Sequence, residues 1–366
     1  MSKSVFSVGS QSCDPLRSTV LVGLVGLSVA AAAFAEVKGP AYEGRAATLA
    51  AYANDFVVAD IGSGQIAGLA FDGSHLYTAN LSDNSVSKVS QAGVTESRYS
   101  LVRATAPTIK PDPVAIAFDG QRLWTANETL NSVSRVTVSG TGTGQVVSVI
   151  DVPLAAGARP LGLAVLREYV YTVNAGTNDV AKVRAGGVDQ TYPLPADVTR
   201  PAAIASDGAN LWIASLGPTT GAAPSVTRLN PSGGATSRVL LPKNSAPVAI
   251  AFDGTHVWTA NSGTNTVSKI AVDTLKVVGT YSLPAGSSPA AIAIDQPGYS
   301  SSVGPIDPSI YIWTANVANN TVSKIDAATG RVVANYPVGR TPGDIAFDGT
   351  HVWVSGGNVL MKIRAR

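Results

Sequence analysis

One pattern recurs seven times along this 366-residue chain, and it limits the fold more than any other feature. Its clearest copy is Pro247-Val-Ala-Ile-Ala-Phe-Asp253-Gly254-Thr-His-Val-Trp258-Thr-Ala-Asn261, followed by Asn265-Thr-Val-Ser-Lys269-Ile270. The central aromatic falls at Tyr77, Trp124, Tyr171, Trp212, Trp258, Trp313 and Trp353. Successive spacings are 47, 47, 41, 46, 55 and 40 residues. A unit of that size with several short strands is the signature of a propeller blade, which buries its faces only against copies of itself.

Each unit parses into four strands. In the fifth, strand A is the nearly all-apolar run Val248–Phe252, as suits a strand buried on both faces. Asp253-Gly254 makes a tight turn. Strand B is Val257–Asn261, strand C Thr266–Val272 and strand D Val277–Leu283. Val, Ile, Thr and Trp dominate these runs, as a pleated, half-buried surface requires. The seventh unit offers strand A (Gly343–Phe347), strand B (His351–Ser355) and strand C (Val359–Arg364) but no strand D. A strand-like run, Asp55–Ile61, precedes the first unit. The expected fold is all-β: a seven-bladed propeller of four-stranded antiparallel blades, with the last blade closed by the N-terminal strand. Such closure removes exposed sheet edges.

Composition agrees. Only 14% of residues are charged while 45% are hydrophobic. Soluble chains average about 25% charged. Twenty-eight strands with Gly, Ser and Asn loops leave few places for charge. The net charge of +2 argues against a polyanion-coating protein on bulk charge, though not against a local basic patch.

Residues 1–35 have the form of a secretory signal. Lys3 and Arg17 precede the uncharged apolar stretch Thr19–Ala33, and Ala33-Phe34-Ala35 supplies a small–x–small cleavage site. Fifteen apolar residues fall short of the roughly 20 that span a bilayer, so no stable membrane span is expected after cleavage. The domains expected are a signal peptide (1–35), a linker (36–54) and the propeller (55–366), in the periplasm or outside the cell. The single cysteine, Cys13, lies in the signal, so a mature chain starting at Glu36 has no thiol, disulfide or cysteine metal site.

The repeat resembles secreted seven-bladed propellers of the YVTN and NHL type. Unit six carries that likeness in Ala315-Asn316, Asn320-Thr-Val-Ser-Lys324-Ile325-Asp326 and Arg331-Val-Val-Ala-Asn-Tyr336. The pattern Pro-x-x-Ile-Ala…Asp-Gly…Trp-x-x-Asn…Asn-x-Val-x-Lys-Ile is also similar to virginiamycin B lyases. That resemblance implies a streptogramin-opening lyase with a His just after the strand-A Pro of units six and seven. It also implies a Glu before the seventh Pro and another four residues after the last Trp. Those positions are Ala290, Gly343, Thr341 and Gly357 here. Elimination needs a base, and usually a cation to stabilise developing negative charge. The resemblance therefore implies the fold more strongly than the reaction.

In propellers of this type the D-to-A and B-to-C connections ring the mouth of the central channel, a usual place for a ligand. The D-to-A connections carry Lys110, Arg159, Arg200, Lys243 and Arg340. Together they would raise the potential at a concave mouth, and arginines grip carboxylate or phosphate with paired hydrogen bonds. The competing reading is that they are solvated or paired with Asp112 and Asp197. Asp344 stands where the other strands A have Gly68, Ala115, Gly162, Ala203, Ala249 and Ala291. It is either a ligand group or base, or a structural carboxylate neutralised by Arg340 or a neighbouring arginine.

Other series point to architecture. Asn80, Asn127, Asn174, Asn261 and Asn316 close strand B, where Asn holds sharp loops. A cation recurs on every strand C (Lys88, Arg135, Lys182, Arg228, Lys269, Lys324 and Lys362), with turn aspartates such as Asp72 and Asp253 as expected partners. His75, His256 and His351 sit on separate blades, too far apart to share a metal. Variation is expected at two loops: Leu216–Pro224 at the mouth and Gln296–Ser309 opposite it. No phosphate loop, dinucleotide fingerprint or zinc motif appears, and no cofactor is expected. Nucleic acid is not the expected partner, because no aromatic stacking series accompanies the cations. The expected function is a monomeric binding module for a small molecule or protein, anionic where it meets the mouth. A lyase or lactonase with a diverged site is the alternative.

Overall fold

The computed structural model describes residues 57–61, 64–102, 108, 110–139, 146–217, 223–295 and 309–365. The signal, the linker, most of the loop after Leu216 and nearly all of the 296–309 insertion lie outside the described residues. Asp55–Arg366 forms one compact unit. It contains seven four-stranded antiparallel sheets and, among the described residues, no helix.

Blade five shows the plan. Its strands are Pro247–Phe252, His256–Asn261, Thr266–Ala271 and Lys276–Ser282, each within one residue of the sequence expectation. Blades one to six run A–B–C–D in chain order. Strand A of blade seven is shorter than expected, Ile345–Phe347. Its first residues instead bond irregularly to strand B: Gly343 N–H donates to the Ser355 carbonyl (2.8 Å), and Ser355 N–H to the Asp344 carbonyl (2.9 Å). The fourth strand of this sheet is Val57–Asp60, antiparallel to Val359–Arg364 with Val57 opposite Lys362.

Neighbouring strands A approach closely. A Cβ added at Gly68 would lie 3.1 Å from Ala115 Cα and Ile116 N, so a side chain there would press on the next blade's backbone. This explains the small residues of the strand-A series.

The core is divided among the joints. Seven hydrophobic clusters of described residues each join two adjacent blades, the last pairing blade seven with blade one. The central aromatic of every blade belongs to the cluster it shares with the following blade. Trp212 packs with Ile250 and Ile270, and Trp353 packs with Ile66 and Val89. Trp212, Trp258, Trp313 and Trp353 are fully buried. Each ring contributes several kcal/mol of gross transfer free energy, at about 25 cal/mol per Å².

A buried indole must also satisfy its N–H. The turn aspartate five residues upstream does this: Trp124, Trp212, Trp258 and Trp353 donate to Asp119, Asp207, Asp253 and Asp348 at 2.6, 2.8, 2.6 and 2.7 Å. The other carboxylate oxygen of Asp253 accepts the backbone N–H groups of Thr255 and His256 and the Thr255 hydroxyl. Burial alone would raise this carboxyl's pKa, but these donors hold it below its ordinary value. Asp207 and Asp348 behave likewise.

The turn aspartates being occupied, the strand-C cations go elsewhere. Lys88 pairs with Glu96 (3.3 Å) and Lys182 with Asp189 (3.0 Å), within their own blades. Lys269, Lys324 and Lys362 lie over Trp258, Trp313 and Trp353 at 5.1, 5.3 and 4.9 Å. Each also donates to a carbonyl of the next blade: Ala327 (2.9 Å), Ala365 (2.6 Å) and Gln91 (2.6 Å). The expected pairing with Asp253 is therefore replaced by a clamp across the joint, and the Lys362 clamp links the last blade to the first.

Two outcomes test this account. Asp253→Ala strands the Trp258 N–H and removes three further bonds, and should cost about 2–4 kcal/mol in chemical denaturation. Removing residues 55–61 should lower the melting temperature of the whole ring in one transition. An unchanged melt would show that the first strand does not hold the last blade.

Candidate functional site

The mouth is built by one repeated device. In blades one to six the residue before strand A gives its carbonyl to the B-to-C connection of the same blade, as in Glu128 N–H to Asp112 (3.2 Å), Ala175 to Arg159 (3.0 Å), Leu216 to Arg200 (3.1 Å) and Ser262 to Ala246 (3.1 Å). Asp112, Arg159, Arg200, Ala246 and Ser288 all take positive φ, from 46° to 57°. Four residue types at five positions in one conformation make it a property of the ring and not local strain at an arginine. Asn84, Asn131 and Asn265 hold the arrangement across joints, accepting the backbone N–H of Asp112 (2.7 Å), Arg159 (2.9 Å) and Ser288 (2.6 Å).

The five predicted cations are exposed on these connections. Arg159 is neutralised: its Nη2 lies 2.6 Å from Glu128. Glu128 is the partner, and not Asp112, because it sits on the B-to-C connection facing the loop that carries Arg159. Asp197 pairs with Arg238 (2.5 Å), and Asp83 with Arg98 (2.6 Å). Lys110, Arg200, Lys243 and Arg340 make no ion pair among the described residues. Joint three–four departs from its neighbours. Asn178 Oδ1, the counterpart of the bracing oxygens, is enclosed without a hydrogen-bond partner, as are the hydroxyls of Thr177 and Thr199 beside Arg200.

The strand-B asparagines are buried and structural. Asn261 accepts from Thr259 (2.9 Å) and donates to Thr266 (3.1 Å) and Ser268 (2.8 Å), tying strand B to strand C. Asn80, Asn127 and Asn316 repeat this set. Asn174 accepts from Thr172 and donates to Asp179.

Asp344 makes no ion pair with Arg340 or any other cation among the described residues, contrary to the expected neutralisation. Its Oδ2 accepts the backbone N–H of Leu69 at 2.7 Å, across the joint between blades seven and one. Its own N–H donates to the Ser355 hydroxyl (2.8 Å). Ser355 stands where other blades have Ala or Val, a companion change that sequence reading overlooked. Surrounding protein raises the Asp344 pKa from 3.8 to about 6, against the opposing backbone hydrogen bonds of Ile345 and Leu69.

No group of three or more His, Cys, Asp or Glu among the described residues is placed to hold a metal. No described helix is long and apolar enough to cross a membrane. A cavity of about 450 Å³ opens on the face opposite the mouth, between blades two and three, with Arg122, Trp124, Glu168 and Asp189 among its walls. Its signal in the sequence was a second arginine on blade two, at a position held by His, Tyr or Asn in the other blades.

The raised Asp344 pKa has a definite sign. Protonation favours the folded state, so this stabilising contribution is complete below about pH 4 and is lost as pH rises through about 6. Asp344→Asn keeps an oxygen for Leu69 and removes the charge. Its melting temperature should match or exceed that of the parent at pH 8, with the difference shrinking towards pH 5. Parallel pH profiles for the two proteins would contradict this.

No protein-family model matches the chain, and no curated protein matches it by sequence. Solved structures do match. A streptogramin B lyase structure superposes with a TM-score of 0.68 at 20% identity, over 84% of this chain and 97% of the other. Virginiamycin B lyase from Staphylococcus aureus gives 0.68 at 17%, over 85% and 100%. The WD40 propeller domain of Doa1 gives 0.63 at 10%, over 85% and 96%. The chain thus shares the fold of virginiamycin B lyase-like seven-bladed propellers, and at these identities the likeness is one of fold alone.

Proposed function

We propose that this protein is a secreted or periplasmic binding module, monomeric, whose ligand is a small molecule or protein with an anionic group seated at the channel mouth. The carrying observation is charge left over after pairing. Asp83, Glu128 and Asp197 on the mouth connections are already engaged, while Lys110, Arg200, Lys243 and Arg340 are not. Arg159 belongs to the rim but is held by Glu128 and contributes less. Arg200 is the favoured contact, because the loop around it keeps unspent hydrogen-bonding capacity at Thr177, Asn178 and Thr199.

A lyase or lactonase is the second reading, favoured by the fold likeness to streptogramin-opening enzymes. Against it stand Ala290, Thr341, Gly343 and Gly357 at the positions where the resemblance calls for His or Glu. Asp344 is a poor substitute base, since its carboxylate is spent on Leu69.

A thermal-shift ligand screen on the full chain tests the proposal. Anionic hits should lose at least about tenfold in affinity in Arg200→Ala and Arg340→Ala, as for a charge-assisted contact. Hits indifferent to both changes would remove the basic mouth. Turnover of a cyclic ester that disappears in Asp344→Asn would establish the enzyme reading instead.

A further inference from the structure

Blades two and three each depart from the repeat close to the A-to-B turn, and both departures are charged. The residue two before the central aromatic is His, Tyr or Asn in six blades and Arg122 in blade two. The residue three before it is Ser, Gln, Ala, Thr or Ile in six blades and Glu168 in blade three. The repeat asks for neither charge, so the fold does not account for this cation and anion on adjacent blades.

Arg122 and Glu168 line the same cavity of about 450 Å³, on the face opposite the mouth. That volume lies within the roughly 300–1,000 Å³ of small-molecule sites. The C-to-D connection of blade three explains the opening. Arg184 pairs with Gly187, leaving a turn of only Ala185 and Gly186. In blade six, residues 327–331 make this connection, and the Ala327 carbonyl reaches back to Lys269 of blade five. A Cβ added at Gly186 would meet nothing within 4 Å, so the short turn stands clear of its surroundings.

The remaining charges around the cavity cancel. Asp119 is occupied by Gln121 N–H, Arg122 N–H and the Trp124 indole, and Asp189 by Lys182 (3.0 Å) and Arg184 (3.1 Å). Those two carboxylates balance those two cations. Arg122 and Glu168 are left over. Neither side chain has a hydrogen bond or ion pair among the described residues, so the two do not meet across the cavity they share. A simple anion or a simple cation would satisfy one of them and face a like charge at the other. A ligand with one charge of each sign satisfies both: a carboxylate fits the guanidinium fork, and an ammonium donates to Glu168. Val188, 40% exposed, and Trp124 add apolar wall for the rest of such a ligand.

We infer that the cavity between blades two and three is a binding site for a zwitterion with an apolar body, an α-amino acid with an uncharged side chain, held by its carboxylate at Arg122 and by its ammonium at Glu168. The site is independent of the mouth. Calorimetric titration of the full chain with L-phenylalanine tests it against three analogues. These are 3-phenylpropanoate, which lacks the ammonium, 2-phenylethylamine, which lacks the carboxylate, and glycine, which lacks the apolar body. Phenylalanine should bind at one site and more tightly than all three. Arg122→Asn and Glu168→Gln install residues that blades four and two carry at the same positions, so the fold is kept. Each should weaken phenylalanine about tenfold or more, the loss expected for a hydrogen bond to a charged group. Arg200→Ala at the mouth should leave phenylalanine binding unchanged. The assignment is overturned by no saturable phenylalanine binding up to roughly 10 mM, a range that includes weak single-site binding. Unchanged affinity in Arg122→Asn or in Glu168→Gln, an analogue that binds as tightly as phenylalanine, or loss of binding in Arg200→Ala overturns it too.

Discussion

Everything in this ring depends on one contact made seven times, an aromatic side chain of one blade packed on the sheet of the next. A blade alone has two apolar faces and cannot bury either. The aromatic solves the apolar half of that problem and creates a polar one, because an indole N–H enclosed between sheets needs an acceptor. The turn aspartate answers it in four of the five tryptophan blades. Turn and core are thus one unit: the carboxylate that shapes the A–B turn also makes the tryptophan fit to bury. With that carboxylate occupied, the strand-C lysine of blades five to seven turns to the aromatic face and to the next blade's carbonyl. Short-range sequence thereby produces long-range cohesion, up to the Lys362 link between the last blade and Gln91 of the first.

This division explains what the sequence made legible. The period, the strands of blade five and the central aromatic were readable because each is fixed within one unit. Partners across a joint were not. Lys269 finds Ala327 58 residues away, and Arg159 finds Glu128 31 residues away, where loop geometry rather than local pattern decides. Asp344 was visible as a lone carboxylate among glycines and alanines, yet its partner is a backbone N–H of blade one, which no side-chain pattern announces. The cavity between blades two and three was harder still, since its walls combine a turn of only Ala185 and Gly186 on one blade with Arg122 and Trp124 of another.

The closing joint shows why one strand A carries a charge. Blade seven takes its fourth strand from the other end of the chain, so this sheet lacks the covalent continuity of the rest. Asp344 and Ser355 add hydrogen bonds there, one reaching Leu69 in blade one and one tightening strand A on strand B. A half-buried carboxylate bonded to a backbone N–H of the next blade stabilises a joint. Its raised pKa, often a mark of a catalytic group, here follows from the surroundings that make it a tie.

A ring of near-copies separates architecture from function in a way that a single domain does not. Where a residue type repeats around the ring, the fold accounts for it: the asparagines that close strand B in five blades and the cation on every strand C belong here. Where one blade departs and the departure is satisfied internally, as at Asp344, the joint accounts for it. The residues left are those that depart and remain unsatisfied. Arg200, exposed at the mouth beside the enclosed and unpartnered oxygens of Thr177, Asn178 and Thr199, is of this kind. In a chain with only 14% charged residues, cations left unpaired around one mouth raise the local potential there. That imbalance, rather than the likeness to any one propeller, is the physical ground for placing an anionic ligand at the mouth.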